Sequence, residues 1–203
     1  MKTVTNVNEM DILRSVGINR GPSIDEVLAQ IRRLEDLRLD VELHRGAARL
    51  INETKETNDL QQLVDGIKVS IKNIIDKERV VIKCHFDIKN IFSIRSYLYS
   101  IFYNLILNSI KYRQCGVSPV IVIKSTFHEN KIQLSFTDNG KGIDLENHGK
   151  QLFRLYKRFD TTVEGKGLGL FMVKTQVESL GGTVTVNSEV DKGTQFIIQL
   201  PVN

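Results

Sequence analysis

The chain has 203 residues, 41% hydrophobic and 26% charged, with a formal net charge of +4. That length suits one domain with a helical appendage or two small domains, and no stretch approaches the roughly 20 apolar residues that cross a bilayer. Met1 to Asn6 lacks the apolar run of a signal peptide, and Cys84 and Cys115 form no metal or redox motif, so a cytoplasmic chain with reduced thiols and no membrane contact is expected.

The charge is unevenly distributed. Met1 to Arg49 carries 8 basic and 8 acidic residues, and the remainder carries 20 and 16. The early part uses 7 arginines and 1 lysine, and the later part 5 arginines and 15 lysines. This contrast suggests a helical segment joined to a domain of different history. No basic stripe is interleaved with aromatics, so nucleic acid is not an expected partner. A mildly basic pocket for a polyanionic small molecule fits the charge equally well.

In chain order, residues 1–21 carry weak signals, ending in the break Gly17-Ile18-Asn19-Arg20-Gly21-Pro22. Ser23 with Glu26 three residues on reads as a capping box. Ile24, Val27, Ile31, Leu34, Val41 and Ala48 approximate a seven-residue repeat, interrupted by Arg38 and Arg45. The expectation is a long amphipathic, dimerising helix from Ser23 to about Thr54, a helical unit over 22–56 and a globular domain over 57–203. Within that domain a second helix is expected from about Leu60 to Asp76. Asp59 is its N-cap, and Leu63, Ile67, Ile71 and Ile74 form its buried face. Val80–Phe86 reads as extended, Ile94–Arg113 as helix, and Val120–Thr126 and Ile132–Thr137 as strands. A helix over Gly167–Leu180 and strands over Thr183–Ser188 and Thr194–Leu200 complete the chain. Helices on one face of a mixed sheet make the expected fold class α/β, a two-layer α/β sandwich.

Three short constellations bear chemistry. Asn104 and Asn108, four apart in Asn104-Leu105-Ile106-Leu107-Asn108-Ser109-Ile110-Lys111-Tyr112, share one helix face. Asparagine is a poor helix-interior residue, so two on one face suggest a common ligand. A side-chain amide oxygen suits Mg²⁺, which keeps several waters and holds nucleotide phosphates. Asp138-Asn139-Gly140-Lys141-Gly142-Ile143 follows a strand and places an acceptor beside glycines that permit close backbone approach. By itself it also reads as a plain turn. Gly165-Lys166-Gly167-Leu168-Gly169-Leu170 leads into a helix whose first N–H groups form an anion site.

In this order and spacing the three resemble the N box and the two glycine boxes of the ATPase fold shared by histidine kinases, gyrase, Hsp90 and MutL, the Bergerat ATP-binding fold. Leu152-Phe153-Arg154-Leu155-Tyr156-Lys157-Arg158-Phe159 resembles the F box of histidine kinases. The tail, with Gly181-Gly182-Thr183-Val184, Ser188, Gly193-Thr194-Gln195-Phe196 and Leu200-Pro201, resembles their closing strand pair. The resemblance covers about Asn58 to Pro201 and lies close to PAS-linked sensor kinases of Bacteroidetes-type bacteria.

The resemblance implies roles. Asn108 would bind Mg²⁺, with Asn104 supporting it or the phosphates of ATP. Lys111 would approach the phosphates, and Tyr112 would lie beside the adenine. Asp138 would accept the adenine amino group, and Gly140 and Gly142 would let the chain pass the base. Gly165, Gly167 and Gly169 would admit the triphosphate, with a lid over Asp144–Glu164. Lys157, Arg158 and Lys166 are phosphate candidates, and Ile143, Tyr156, Leu168 and Thr194 complete the nucleotide-binding set. Hydrolytic members place a glutamate where this chain has Asn104. An amide cannot act as a general base, which favours phosphotransfer over hydrolysis. A histidine kinase also needs an acceptor on a dimeric helical hairpin, and a response-regulator receiver domain as partner. The candidate acceptor is His44. Its surround, His44-Arg45-Gly46-Ala47-Ala48, lacks the spacer residues and proline of the related pattern His-x-x-Arg-Gly-Pro. His85, His128 and His148 have no metal-ligand spacing.

Overall fold

The structure, a computed structural model, describes residues 54–154 and 167–202, the side chain of Lys150 excepted. The expected helix over 23–54 lies outside the described residues apart from Thr54, and His44 lies outside them entirely.

Strand β1 (Lys55–Asp59) opens the domain and pairs antiparallel with β3 (Asn90–Ile94), from Lys55↔Ile94 to Asp59↔Asn90. The expected boundary between residues 56 and 57 falls inside this strand. Lys-Glu-Thr-Asn-Asp is poor in strand-forming residues, and tertiary pairing overrides that preference. Asn58 is fully buried, and its Nδ2 donates to Glu56 O and Ser93 O, both at 2.8 Å.

Helix α1 (Leu60–Ser70) follows directly, with the Asp59 carboxylate accepting from Gln62 N–H at 2.9 Å. It buries Leu60, Leu63, Val64 and Ile67. The expected single helix to Asp76 is broken at Ile71 (φ −113°, ψ 21°) and resumes as α2 (Lys72–Glu78). Ser70 Oγ donates to Ile67 O at 2.8 Å, so a side chain competes for a helical carbonyl at the break. The Ile71 N–H keeps its own bond to Ile67 O at 3.1 Å, and the turn that follows is rotated. Ile74, expected on the buried face, is 40% exposed, and Ile75 packs on the core in its place.

Strand β2 (Val81–Phe86) turns Ile82, Cys84 and Phe86 toward the core. Helix α3 (Arg95–Lys111) is followed by β4 (Val120–His128) and β5 (Lys131–Asp138), each strand slightly longer than expected. A short helix α4 (Leu145–His148) and a 3₁₀ turn at Gly149–Gln151 precede α5 (Gly169–Ser179). Strands β6 (Thr183–Glu189) and β7 (Gly193–Pro201) close the chain.

The main sheet has the order β2-β4-β5-β7-β6. β2 and β4 are parallel, and the other neighbours are antiparallel. Ile121, Ile123, Leu134, Phe136, Phe196 and Ile198 alternate onto one face and share a core with α1, α3 and α5. The two-layer α/β sandwich is therefore as expected. Each fully buried leucine, isoleucine or phenylalanine contributes about 1.5–3 kcal/mol. Phe102 of α3 meets Phe136 of β5 edge-on, with centroids 4.8 Å apart. That contact locks the helix carrying Asn104 and Asn108 to the strand ending in Asp138.

Candidate nucleotide-binding site

The site is assembled from the C-terminal half of α3, the loop after β5, the start of α5 and the β6–β7 turn. Helix α3 buries Ile101, Leu105 and Ile110, which turns Asn104 and Asn108 together to its half-buried side. Asn104 Nδ2 donates to Ser100 O at 2.8 Å, so one end of its amide is fixed by the helix itself. A Cβ added at Gly169 would lie 3.0 Å from Asn104 Oδ1 and 3.8 Å from Asn108 Nδ2. The N-terminus of α5 therefore approaches both asparagines, and only glycine leaves Asn104 undisturbed. Leu168 at its N-cap position offers no side-chain acceptor, so the first N–H groups of α5 are not capped from there.

Asp138 ends β5 and is held at three points. Its Oδ1 accepts from Gly140 N–H at 2.8 Å and Thr194 N–H at 3.2 Å, and its Oδ2 lies 2.9 Å from Ser109 Oγ. Burial pushes its carboxyl above the usual carboxylate range, and the bonds from Gly140, Ser109 and Thr194 pull the other way. A carboxylate has about four acceptor positions, so one is left for a ligand donor. Ser109 has a single O–H to share between Asp138 and Leu105 O, the latter at 3.1 Å.

The glycines of this loop answer first to the protein. A Cβ at Gly140 would sit 2.7 Å from Tyr112 O and 2.9 Å from Asp138 Oδ1. Gly142 has φ 68°, and a Cβ there would overlap Glu189 O. Internal contacts with the end of α3 and with the β6–β7 turn thus require glycine here whether or not a base lies alongside. Lys141 N–H donates to Tyr112 O at 2.8 Å, and Asp191 N–H donates to Lys141 O at 2.7 Å. Ile143 N–H donates to Ser188 Oγ at 2.8 Å, which in turn lies 3.0 Å from Thr194 Oγ1.

The fold thus brings together Asn104, Asn108, Tyr112, Asp138, Gly140, Gly142, Ile143, Leu168, Gly169 and Thr194. Lys111 is exposed in the last turn of α3, and Gly167 has φ 71° just before α5. Tyr156, Lys157, Arg158, Gly165 and Lys166 lie outside the described residues. So does the expected lid from Leu155 onward, and only its first part, through α4 and the 3₁₀ turn, is described. Four residues given no role from sequence matter to the geometry: Ser109, Gln114, Asn139 and Ser188. Ser109 carried a signal, being a polar residue at a core-facing helical position. Gln114 and Asn139 lie in the irregular segments after α3 and β5, where local pattern says little, and Ser188 lies within β6.

Residues 93–203 match the family described as histidine kinase-, DNA gyrase B- and HSP90-like ATPase. The sensor protein SrrB of Staphylococcus aureus is 30% identical over 185 residues, covering 88% of this chain and 31% of SrrB. The sensor protein RprX of Bacteroides fragilis is 30% identical over 150 residues, covering 71% of this chain and 29% of RprX. The chain therefore spans under a third of the length of these curated relatives. Among solved structures, Acinetobacter baumannii histidine kinase AdeS superposes with a TM-score of 0.64 at 21% identity, covering 96% of this chain and 95% of that one. Full-length ShkA in complex with AMPPNP gives 0.67 at 20% identity, covering 90% and 40%. The catalytic domain of histidine kinase ThkA gives 0.62 at 22% identity, covering 73% and 95%. The chain belongs to the histidine kinase-, DNA gyrase B- and HSP90-like ATPase family, and its fold is that of the ATP-binding domain of sensor histidine kinases.

Proposed function

We propose that this chain is the catalytic core of a two-component sensor kinase, transferring the γ-phosphoryl group of Mg-ATP to a histidine for relay to a receiver-domain aspartate. The observation that carries the reading is the convergence of Asn104, Asn108 and the start of α5, with Asp138 held to the same helix through Ser109. Asp138 accepts the adenine amino group through its remaining acceptor position. Tyr112 and Ile143 flank the base, Thr194 fixes the Asp138 carboxylate, and Lys111 neutralises phosphate charge. Lys157, Arg158 and Lys166 add to that neutralisation, with Tyr156, Gly165 and Gly167 shaping the lid.

The donor set fits Mg²⁺. Two neutral amides on one helix face suit a hard cation whose remaining positions are filled by water and phosphate. Asn108 would hold the ion, which when bound neutralises charge on the phosphates. Among the described residues no cluster of three or more His, Cys, Asp or Glu side chains could hold a metal on its own. Phosphoryl transfer needs little from the protein beyond positioning and charge neutralisation. Asn104 supplies no general base for water, which supports transfer rather than hydrolysis. No helix among the described residues is long and apolar enough to cross a membrane. A cytoplasmic dimer, joined through the segment before Lys55, fits these features.

The acceptor separates two readings. In the first, His44 takes the phosphoryl group. In the second, favoured by the incomplete motif around His44, the domain phosphorylates a histidine supplied by a partner or acts as an ATP-dependent regulatory module. Incubation with γ-labelled ATP decides between them. An acid-labile, base-stable label lost in His44→Gln supports self-phosphorylation. ATP binding without self-label, with label appearing on an added dimerisation hairpin, supports transfer in trans. No ATP binding at all would refute both.

A further inference from the structure

Gln114 follows α3, three residues beyond Lys111, and its side chain is half-buried. Its Nε2 lies 3.1 Å from Asn139 O, 3.1 Å from Gly140 O and 2.9 Å from Asp191 O. Three carbonyl oxygens around one atom identify that atom as the NH₂ end of the amide, because a carbonyl end would face only acceptors. Two hydrogens serve three acceptors, so at least one is shared. Two of the carbonyls belong to the two residues after Asp138, and the third belongs to the β6–β7 turn. One side chain therefore ties the end of α3 to both segments that donate to the Asp138 carboxylate, at Gly140 and at Thr194.

Other bonds brace the same region, among them Thr194 N–H and Ser109 Oγ on the Asp138 carboxylate and Ile143 N–H on Ser188 Oγ. Lys141 N–H reaches Tyr112 O, Asp191 N–H reaches Lys141 O, and the Asn139 side chain bridges Val120 N–H and Ser118 O. The Gln114 amide contacts both the loop after β5 and the tip of the β6–β7 turn through its donor group. We propose that Gln114 is a positioning residue for base recognition, holding the Asp138–Gly142 loop and the β6–β7 turn in the register that aims the Asp138 carboxylate at the adenine amino group. The inference rests on the nucleotide reading above, and it assigns selectivity for adenine to a residue that never touches the base. The three-carbonyl cage favours a donor at this position and penalises an acceptor.

The test uses the full chain and compares Gln114→Leu, Gln114→Glu and Gln114→Lys for ATP and GTP binding by calorimetry, with backbone hydrogen exchange over residues 139–141 and 189–192. Losing the donor should weaken ATP binding about tenfold, with two net hydrogen bonds at stake. The preference for ATP over GTP should fall by a similar factor, because the aim of Asp138 is what distinguishes the bases. Glutamate should lose more than leucine, and lysine, a donor without an acceptor, should restore most of the loss. A space-filling role would instead rank glutamate with lysine. Faster exchange at residues 139–141 in Gln114→Leu should accompany the loss, with the same exchange near native in Gln114→Lys. ATP affinity and preference within twofold of the native chain in Gln114→Leu would overturn the proposal while leaving the nucleotide reading intact. If the native chain itself bound no ATP, the nucleotide reading would fail, and unchanged exchange in Gln114→Leu would overturn the clamp independently.

Discussion

Asp138→Asn separates binding from folding at the residue on which base recognition depends. In the native site Oδ1 accepts two backbone N–H groups, at 2.8 and 3.2 Å, and Oδ2 faces Ser109 Oγ. An asparagine amide can keep its oxygen on the two N–H groups and turn its NH₂ toward Ser109. Ser109 can then accept, sending its own hydrogen to Leu105 O. The internal network survives, and the acceptor offered to the adenine amino group becomes a donor. A hydrogen bond to a charged group is worth about 1.5–3 kcal/mol, which corresponds to roughly 10- to 150-fold in affinity before the donor–donor clash is added. Stability should move the other way. Burial raises the folded-state pKa of Asp138, so the folded chain holds that proton more tightly than the unfolded chain. The stability this group contributes is present at low pH and is lost as pH rises from about 3.9 through the raised value. The substitution removes that loss, so at neutral pH the variant should melt at or above the native temperature. Native ATP affinity should fall as pH drops through the raised pKa, while the residual affinity of the variant stays flat over the same range. Calorimetry for ATP and thermal melting across pH 4–8 provide the check. An affinity change below about threefold, or a fall in melting temperature of more than about 4 °C, equivalent to roughly 1 kcal/mol or more, would refute the reasoning.

Two glycine substitutions should separate stability from binding. Gly142→Ala combines a positive φ with overlap on Glu189 O, so it should destabilise the fold by about 2 kcal/mol or more, read in chemical denaturation. Gly169→Ala falls at the first residue of α5, outside the helix interior where alanine is favoured, so stability should hold. Its Cβ would press on Asn104 Oδ1 at 3.0 Å, and Mg-ATP affinity should drop severalfold while adenosine affinity changes little.

Much of the site is legible in the chain itself because it is built from local chemistry. The four-residue spacing of Asn104 and Asn108 puts them on one helix face wherever α3 packs, and Asp138 closes a strand whose alternation is plain. The glycines mark tight backbone, although their reason here is contact with Tyr112 and Glu189, which only the fold reveals. Most of the missed features depend on distant partners. β1 is a polar pentapeptide that becomes a strand because β3 pairs with it and its own buried Asn58 side chain donates to Ser93 O. The break at Ile71 is accompanied by a serine hydroxyl sharing Ile67 O with the Ile71 N–H, a local bond that periodicity does not register. Ser109 signals itself as a polar residue at a core position, but its partner lies 29 residues on. Gln114 carries no signal at all, because its role exists only once three separate segments converge on it. Sequence determined which groups the protein could present to a nucleotide, because residue type and helical or strand spacing are local properties. Tertiary structure decided how those groups are aimed, because aim depends on hydrogen bonds between segments that meet only when the sheet has closed.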